Sequence, residues 1–336
     1  MENITYLFGA GASRKCLPIV SEMTDKIIEV TDEFQTRFNQ MKSKPDATVS
    51  KEQGKELIDD LNWLSRVCDV EKNFSVDTLA KKLRLSNRET EYNKLKNILT
   101  VYFTLQQKFK APDVRYDNFW ASLLNEKNIF PDHIRILSWN YDFQMEMTYQ
   151  EFSNSSSLMD SARLLNVVTS KNADNSDSID KFAIFKLNGS ATYNSEAIER
   201  NHQYVVDDLR NCSMNNALMK TIDYYSKSKA DNPVSLLTHL SYAWEHDKES
   251  VFYQKLESSL RNTTVVVVIG YSFPYFNREV DKLILNKYMP KLRKVYFQDE
   301  KPDNIKERFR AINTNVSVHE LIPINDTYQF YFPNEL

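Results

Sequence analysis

Two glycines lie within three positions near the start of the chain, although the whole sequence of 336 residues contains five. They belong to Gly9-Ala10-Gly11-Ala12-Ser13, which follows an apolar run. A glycine pair between a strand and a helix lets backbone N–H groups approach a pyrophosphate. Glycine also serves tight turns in general, and the third glycine of the dinucleotide-binding fingerprint is missing here. The pattern alone leaves a phosphate-binding loop and a plain strand-to-helix turn both open.

Five apolar runs are predicted as buried strands, and small or polar residues follow each of them. The runs are Ile4–Phe8, Ile134–Ser138, 182–187, 264–269 and 294–297, followed by GAGAS, WNYD, NGS, GYSF and QDE. The run TTVVVVIG is the clearest, because consecutive β-branched residues favour strand over helix. Ligands of open parallel sheets bind beyond the carboxyl ends of the strands. We therefore predict that the five strand ends converge on one crevice.

Helical patterns fill the chain between the predicted strands. Residues 21–41 predict one long amphipathic helix with Ser21 as its N-cap. Residues 51–130 predict helix throughout, and 195–260 predict mostly helix. Residues 153–180 are rich in Ser, Asn and Asp and predict an exposed loop.

The predicted strands carry apolar residues on both faces, which is typical of a parallel sheet covered by helices. We therefore predict an α/β fold with a Rossmann-like parallel sheet. The prediction is a single domain over residues 1–336, with large helical insertions at about 42–130 and 195–260.

Composition and charge disfavour several classes of protein. The formal net charge is −3, and no basic excess favours direct, sequence-specific nucleic-acid binding. The sequence lacks the run of about 18 apolar residues that a membrane span requires. The N-terminus has no basic segment or cleavage site of the kind that a secretory signal carries, so we predict a cytoplasmic protein without membrane contact.

The cysteines and histidines do not predict a metal site. Cys16, Cys68 and Cys212 lie far apart, which disfavours both a disulfide framework and structural zinc. None of the five histidines has metal-ligand spacing with another, and His239 and His246 lie seven positions apart on a predicted helix.

Taken in order along the chain, the blocks GAGAS…LP, WNYD, NGS and GYS resemble the signature blocks of the sirtuin-like family. They are most similar to its bacterial branch, which hydrolyses NAD in anti-phage defence. Those proteins commonly show a glycine–alanine–glycine–x–serine loop, an asparagine–tyrosine–aspartate block, a histidine–glycine pair and a glycine–x–serine block. The resemblance lies at the strand ends, and it implies a sirtuin-like NAD-binding fold with NAD as the substrate.

The resemblance implies catalytic roles for Asn140, Asp142 and Asn188. Asn140 would hold the nicotinamide side and orient the attacking water, and Asp142 would bond the carboxamide or fix its loop. From the residues alone, Asn140 and Asn188 are also ordinary turn formers, and Asp142 is also a plausible cap of the next helix. The implied NAD-binding residues are Gly9, Ala10, Gly11 and Ser13 at the pyrophosphate, Gly189 in the NGS block, Gly270 and Ser272 on the adenosine or phosphate side, and Gln298 with Asp299 at the adenosine ribose.

Asn188 departs from the family pattern, because the catalytic histidine of the family aligns with this position. Asparagine cannot titrate, so it cannot act as a general base, although it can hydrogen-bond a ribose hydroxyl. Three interpretations stay open. Water could trap the oxocarbenium-like cation without a base, the protein could bind NAD or ADP-ribose without turnover, or the residue could be an introduced substitution. His202 is a further candidate for the missing imidazole.

The predicted function is hydrolysis of NAD to nicotinamide and ADP-ribose by a triggered anti-phage effector. The alternative is a catalytically impaired sensor or assembly subunit that binds NAD or ADP-ribose. A sirtuin deacylase is disfavoured because the paired cysteines of its zinc module are missing, and a dehydrogenase is disfavoured because the fingerprint is incomplete. The aromatic residues after the fourth strand either pack in the core or form a wall against the nicotinamide or adenine ring; they are Tyr271, Phe273, Tyr275 and Phe276.

The two helical blocks predict an interaction surface. Trp63 and Trp244 are candidates for its centre, because aromatic residues are enriched at interface cores. We expect a homo-oligomer or a separate regulatory protein, and the resemblance implies that such a partner is often an ATPase.

Overall fold

The computed structural model describes residues 2–41, 50–69, 73, 75–175, 180–194, 205–229 and 237–336. The chain divides into two compact units. The sheet unit comprises Met1–Lys15, Pro112–Gly189 and Tyr242–Leu336, and the helical unit comprises Cys16–Ala111 and Ser190–Ser241. The helical unit overlaps both predicted insertions, but it begins earlier, at Cys16, and it ends before residue 112 in its first part and before residue 242 in its second.

Nine strands and twelve α-helices lie in the described residues. The strands are β1 (Ile4–Phe8), β2 (Ile134–Ser138), β3 (Val167–Val168), β4 (Ala183–Lys186), β5 (Gly189–Asn194), β6 (Leu237–Leu240), β7 (Val265–Ile269), β8 (Lys294–Gln298) and β9 (Glu320–Ile324). The helices are α1 (Met23–Met41), α2 (Lys51–Val67), α3 (Val76–Leu85), α4 (Glu89–Phe109), α5 (Val114–Leu123), α6 (Gln144–Ser153), α7 (Leu158–Leu164), α8 (Val205–Arg210), α9 (Met214–Ser228), α10 (Val251–Leu260), α11 (Arg278–Lys282) and α12 (Pro302–Arg310).

Seven strands form one parallel sheet in the order β3-β4-β2-β1-β7-β8-β9. All residues of β1, β2 and β7 are buried, so both faces of the central strands are covered. This arrangement confirms the predicted α/β, Rossmann-like sheet with helical insertions. The valine run of β7 lies beside β1, where a strand buried on both faces accommodates β-branched residues.

The register of the sheet brings the strand ends level. Phe8 lies beside Ser138 on one side and beside Ile269 on the other. Ser138 in turn lies beside Lys186, and Ile269 lies beside Gln298. The loops after β1, β2, β4, β7 and β8 therefore start at the same edge of the sheet, as the predicted convergence requires.

The five predicted strands coincide with β1, β2, β4, β7 and β8, with bounds that differ by one residue at most at each end. Two strands of the sheet were not predicted. β3 has two residues, which is too short to give a pattern. β9 contains Pro323 and is largely half-buried, as befits an edge strand, so it lacks the continuous apolar run of the central strands.

The exposed loop predicted for 153–180 is wrong in its described part, because α7 and β3 lie there. Ser157 is the N-cap of α7, and its Oγ accepts the N–H of Asp160 at 3.1 Å. Serine, asparagine and aspartate hydrogen-bond nearby backbone, so a composition typical of loops is also typical of helix caps. Residues 176–179 lie outside the described residues.

The helical unit contains α1–α4, α8 and α9, together with a two-stranded sheet of β5 and β6. The helix predicted for 51–130 is largely confirmed, since the described part of that range holds α2–α5 and no strand, but the last helix ends at Leu123 and residues 124–130 are not helical. Within the described ranges, no helix combines the length and the apolar character that crossing a membrane requires.

The N-cap prediction for Ser21 is wrong. Ser21 lies in the 3-10 turn Val20–Glu22, and α1 begins at Met23. The carboxylate of Glu22 accepts the N–H of Ile19 at 3.3 Å. A glutamate at the third position of the turn thus accepts the free N–H of Ile19, so no serine side chain is required as a cap there.

The mostly helical prediction for 195–260 is partly right, because α8, α9 and α10 lie there but β6 does too. His239 lies on β6, and His246 follows the 3-10 turn Ala243–Glu245, so the predicted helix that carries both is wrong. His202 lies outside the described residues.

The two tryptophans predicted to mark an interface are half-buried. The Lys94 ammonium lies 4.8 Å from the centre of the Trp63 ring. The rings of Tyr242 and Trp244 stack with their centres 5.2 Å apart. Each indole is therefore partly covered by its own unit.

Gly54 in α2 provides a test of packing in the helical unit. A side chain at this position would overlap the buried ring of Phe38 in α1. Helix propensity alone would favour alanine over glycine by about 1 kcal/mol. Because overpacking dominates, we expect Gly54→Ala to lower the free energy of unfolding by about 1–3 kcal/mol in urea denaturation.

The control is the same substitution in a Phe38→Leu background, where the smaller side chain leaves room for the methyl group. There, Gly54→Ala should no longer destabilise the protein. An equal loss in both backgrounds would contradict the packing explanation.

Candidate functional site

The candidate site lies at the carboxyl ends of β1 and β7. The chain builds β2, β3 and β4 on one side of β1 and then returns to build β7, β8 and β9 on the other side. The strand order therefore reverses between β1 and β7. Crevices at such reversals are the usual ligand sites of open parallel sheets.

The two loops at this reversal touch through their backbones. A Cβ built on Gly9 would lie 2.6 Å from the Cα of Tyr271, and one built on Gly11 would lie 2.8 Å from the Cα of Gly270. Gly270 has φ +60°, and a Cβ there would meet the backbone of Gly11 and Ala12. The three glycines are thus required by the contact between the loops.

The same contact uses backbone donors of the loop after β1. The N–H of Gly9 donates to the carbonyl of Ile269 at 3.0 Å, and the N–H of Gly11 donates to the carbonyl of Gly270 at 2.9 Å. The N–H of Ala12 donates to the carbonyl of Gly9 at 2.9 Å. Gly9 and Gly11, two of the four residues predicted to hold the pyrophosphate, therefore donate their N–H groups within the protein, as Ala12 does. Ala10 is the exposed residue of the loop.

Ser13 joins the loop after β1 to the loop after β2. Its Oγ donates to Oδ2 of Asp142 at 2.8 Å and accepts from Nδ2 of Asn140 at 3.2 Å. The hydroxyl of Tyr116 lies 3.0 Å from the same oxygen, and Nδ2 of Asn140 also donates to the carbonyl of Gly9 at 3.0 Å. Ser13, Asn140 and Asp142 are all buried. The sequence predicted these three residues, and the structure brings them together.

Asp142 is held from several sides. Its Oδ1 accepts the N–H of Gln144 at 3.0 Å, so it serves the start of α6 as well as the loop. Burial raises the pKa of its carboxyl, while the nearby Lys186 and the hydrogen bonds from Gln144 and Ser13 act in the opposite direction. The Lys186 ammonium donates to the Asp142 carbonyl at 2.7 Å and pairs with Glu146 at 2.5 Å.

The ion pair of Lys186 and Glu146 was missed by the sequence analysis. Both side chains are only 1% exposed, and the ammonium lies 4.5 Å from the centre of the Phe143 ring. The sequence does contain a signal for this ion pair: a lysine stands at the end of an apolar strand. An ammonium in a buried strand requires a partner.

Asn188 ties the loop after β4 to two backbone segments. Its Nδ2 donates to the carbonyl of Trp139 at 3.1 Å, and its Oδ1 accepts the N–H of Ala243 at 3.0 Å. The side chain is 4% exposed. Both ends of the amide thus hold the fold, and the amide does not ionise at neutral pH. The following Gly189 is buried and has φ +66°.

Gln298 is similarly engaged. Its Nε2 donates to the carbonyls of Asp326 and Gln329 at 2.5 and 2.6 Å, and its Oε1 accepts the N–H of Tyr331 at 3.0 Å. The side chain thus anchors the C-terminal segment rather than pointing to solvent. Asp299 is half-buried, and its Oδ1 accepts the N–H of Lys301 at 2.9 Å.

Arg115 also holds the loop after β1 in place. Its Nη2 donates to the carbonyl of Ala12 at 2.7 Å and to the carboxylate of Asp113 at 2.7 Å. Its Nη1 donates to the carbonyl of Thr327 at 3.3 Å, and the guanidinium lies 4.9 Å from the centre of the Phe330 ring. No sequence signal marked this pair, since an Asp and an Arg two residues apart usually lie on the surface.

The aromatic residues after β7 divide between the core and the surface. Tyr271 and Phe273 are buried, whereas Tyr275 is 80% exposed and Phe276 is half-buried. The Tyr271 ring stacks on Trp139 with the ring centres 5.4 Å apart and the planes 9° from parallel. Core packing therefore accounts for the first two aromatic residues. Ser272 is exposed.

Asp281 supports this loop through Tyr271. The Tyr271 hydroxyl contacts both carboxyl oxygens, at 3.0 and 2.9 Å, and accepts from Nδ2 of Asn277 at 3.1 Å. Asp281 is buried, and burial raises the pKa of its carboxyl well above the ordinary range. Burial thus favours the protonated form of the carboxyl that supports the loop after β7.

Two comparisons bear on the identity of the chain. It matches no protein-family model, and a comparison with curated proteins finds no match. Among the described residues, no group of three or more His, Cys, Asp or Glu side chains is placed to hold a metal ion.

Gly270→Ala tests the contact between the two loops. The methyl group would meet the backbone of Ala12, and an L-residue is strained at this positive φ. We expect a loss of about 1–3 kcal/mol in the free energy of unfolding, as for other residues held in unfavourable backbone regions. Ser272→Ala, two residues further along the same loop, is the matched control and should be nearly neutral. Similar stability of the two variants would show that the loops tolerate separation.

Asp281→Asn tests the neutral acid. Since the pKa of Asp281 is raised, the folded protein keeps a proton that the unfolded chain releases. Its stabilising contribution is full below the ordinary carboxyl pKa and is lost progressively as the pH rises toward the raised value. Asparagine avoids this loss, so the variant should gain on the wild type progressively as the pH rises above about 4, the ordinary carboxyl pKa. Denaturation at several pH values measures the difference.

Asp303→Asn, at an exposed position on α12, is the control and should show a difference from the wild type that changes little with pH. If Asp281→Asn showed the same flat profile, the carboxyl would be ionised in the fold.

Proposed function

We propose that this protein binds NAD at the carboxyl ends of β1 and β7 and hydrolyses it to nicotinamide and ADP-ribose. The observation that carries the proposal is the hydrogen-bonded set of Ser13, Asn140 and Asp142. These residues come from two separate blocks of the sirtuin-like pattern. They meet at the carboxyl ends of β1 and β2, beside the reversal of strand order between β1 and β7, and such reversals are the usual nucleotide sites of these folds.

The indole of Trp139 also supports a ligand at this edge. Trp139 precedes Asn140, it is 5% exposed, and its Nε1 is buried without a hydrogen-bond partner among the described residues. An unsatisfied buried donor costs about 1–3 kcal/mol, so an acceptor on a bound molecule would be favoured there. The carboxamide or ribose oxygens of NAD are acceptors of the required kind.

The proposed reaction is a simple hydrolysis. Hydrolysis breaks the bond between the ribose and the nicotinamide nitrogen, adds water to the ribose carbon and releases one proton. Asn140 and Asn188 can hold hydroxyl groups or water but cannot take up the proton. Asp142 has a titratable carboxyl, but it is buried and bonded to Ser13 and Gln144. We expect slow turnover if these three side chains are the ones that act, because none of them is free to take up the proton.

The second candidate is a protein that binds NAD or ADP-ribose without turnover. It is favoured by Asn188, whose amide joins the backbone at Trp139 and Ala243 where the sirtuin-like pattern has a histidine. Such a protein would act as a sensor or as an assembly subunit. In either case we propose an anti-phage role in the cytoplasm, with triggering through self-association or through a separate regulatory protein such as an ATPase.

Asn188→His tests the two candidates. An imidazole at this position could act as a general base, and such help is typically worth about 10²–10⁴-fold in rate. If the protein is a slow hydrolase, Asn188→His should release nicotinamide faster than the wild type, and Asn140→Ala should release it more slowly. Chromatographic assay of nicotinamide measures both variants at matched concentration.

Asn216→His, at an exposed position near the start of α9, is the control for adding an imidazole and should leave the rate unchanged. Thermal unfolding is followed in parallel, because Asn188→His disturbs the bonds to Trp139 and Ala243. A folded Asn188→His variant that is no faster, together with an Asn140→Ala variant that is no slower, would remove the catalytic assignment. Retained NAD binding would then favour the sensor.

A further inference from the structure

We infer that Arg14 is the phosphate-binding cation of this site and that Glu300 occupies it when no nucleotide is bound. The inference rests on the proposed function and identifies the group that neutralises the pyrophosphate. It starts from the ion pair between Nη1 of Arg14 and Oε1 of Glu300, which are 2.9 Å apart.

The loop after β1 cannot supply this neutralisation in the usual way. The N–H groups of Gly9, Gly11 and Ala12 donate to protein carbonyls. The Ser13 hydroxyl points to Asp142 and is buried. A pyrophosphate at this edge therefore needs charged donors from side chains at the surface of the site.

Arg14 is placed to provide them. It follows Ser13 directly, whereas Glu300 lies two residues beyond the end of β8. Because β7 separates β1 from β8 in the sheet, the guanidinium bridges the strand ends across the loop that contains Gly270. This is the point of strand reversal, where the phosphates of a nucleotide would lie.

The Arg14 side chain is 42% exposed and that of Glu300 is 66% exposed. An exposed ion pair contributes about 0–1 kcal/mol to stability, so exchanging its carboxylate for another anion costs little free energy. A phosphate offers the guanidinium two oxygens and a larger charge than the carboxylate does. Glu300 thus holds the guanidinium over the strand ends, and a pyrophosphate displaces the Glu300 carboxylate from it.

Other cations stand at the same edge. Lys15 follows Arg14, and its ammonium lies 5.8 Å from the centre of the Tyr328 ring. Nη1 of Arg308 donates to the carbonyl of Ser272 at 3.0 Å, in the loop after β7. Arg14 differs from both because it is paired with a carboxylate that a ligand can replace.

Calorimetry with ADP-ribose and with adenosine tests the inference. Arg14→Gln should weaken ADP-ribose binding about tenfold, the effect of losing a hydrogen bond to a charged group, and should leave adenosine binding unchanged. Glu300→Gln should strengthen ADP-ribose binding severalfold, because it removes the competing carboxylate. Raising the salt concentration should weaken ADP-ribose binding more in the wild type than in Arg14→Gln.

Arg84→Gln is the matched control, because Arg84 also forms an exposed 2.8 Å pair with a glutamate, Glu89, but lies in the helical unit. It should bind ADP-ribose as the wild type does. If the wild type binds ADP-ribose and Arg14→Gln binds it equally well, or loses adenosine binding to the same extent, Arg14 is not the phosphate ligand and the proposed function is untouched. If the wild type does not bind ADP-ribose, both the proposed function and this assignment are wrong.

Discussion

The backbone contact between the loops after β1 and β7 is the constraint on which the rest of the site depends. Gly9, Gly11 and Gly270 allow two chains to meet where any other residue would place a Cβ within 3 Å of backbone. The contact fixes the start of the first helical turn and therefore the direction in which Ser13 points. It also uses N–H groups that a phosphate-binding loop would leave open, so the glycines serve the protein's own packing first.

A set of buried polar groups lies near this contact. Burying such groups costs free energy unless they have partners. Asp142, Glu146 and Lys186 are nearly inaccessible, and each has lost its hydration. Their mutual contacts recover part of that cost, because a buried charge is tolerated only with partners and hydrogen bonds. Asp281 is also buried, and there burial raises the pKa of the carboxyl, which contacts the Tyr271 hydroxyl. The polar groups thus specify one arrangement of the loops, since any other would leave a charge or a donor unsatisfied.

Much of the sheet could be predicted from the sequence, but many of the hydrogen bonds and ion pairs between side chains could not. Buried parallel strands carry a strong local signal, so the valine run of β7 was predictable, whereas the two-residue β3 gave none. The meeting of Ser13, Asn140 and Asp142 followed from the parallel arrangement. The partner of a side chain is decided by tertiary contacts, however. The sequence therefore could not predict that Gln298 anchors residues 326–331 or that Arg115 reaches the carbonyl of Ala12.

The choice of side chains at the strand ends has a physical logic of its own. Asn188 and Gln298 each place a carboxamide where two or more backbone segments are joined. A carboxamide both donates and accepts, so one side chain can satisfy a carbonyl and an N–H without introducing charge. The joins therefore keep their hydrogen bonds across the physiological pH range, which a histidine at the same positions would not. Position 188 illustrates the point, because its asparagine joins the backbone at Trp139 and Ala243 through a side chain that does not titrate.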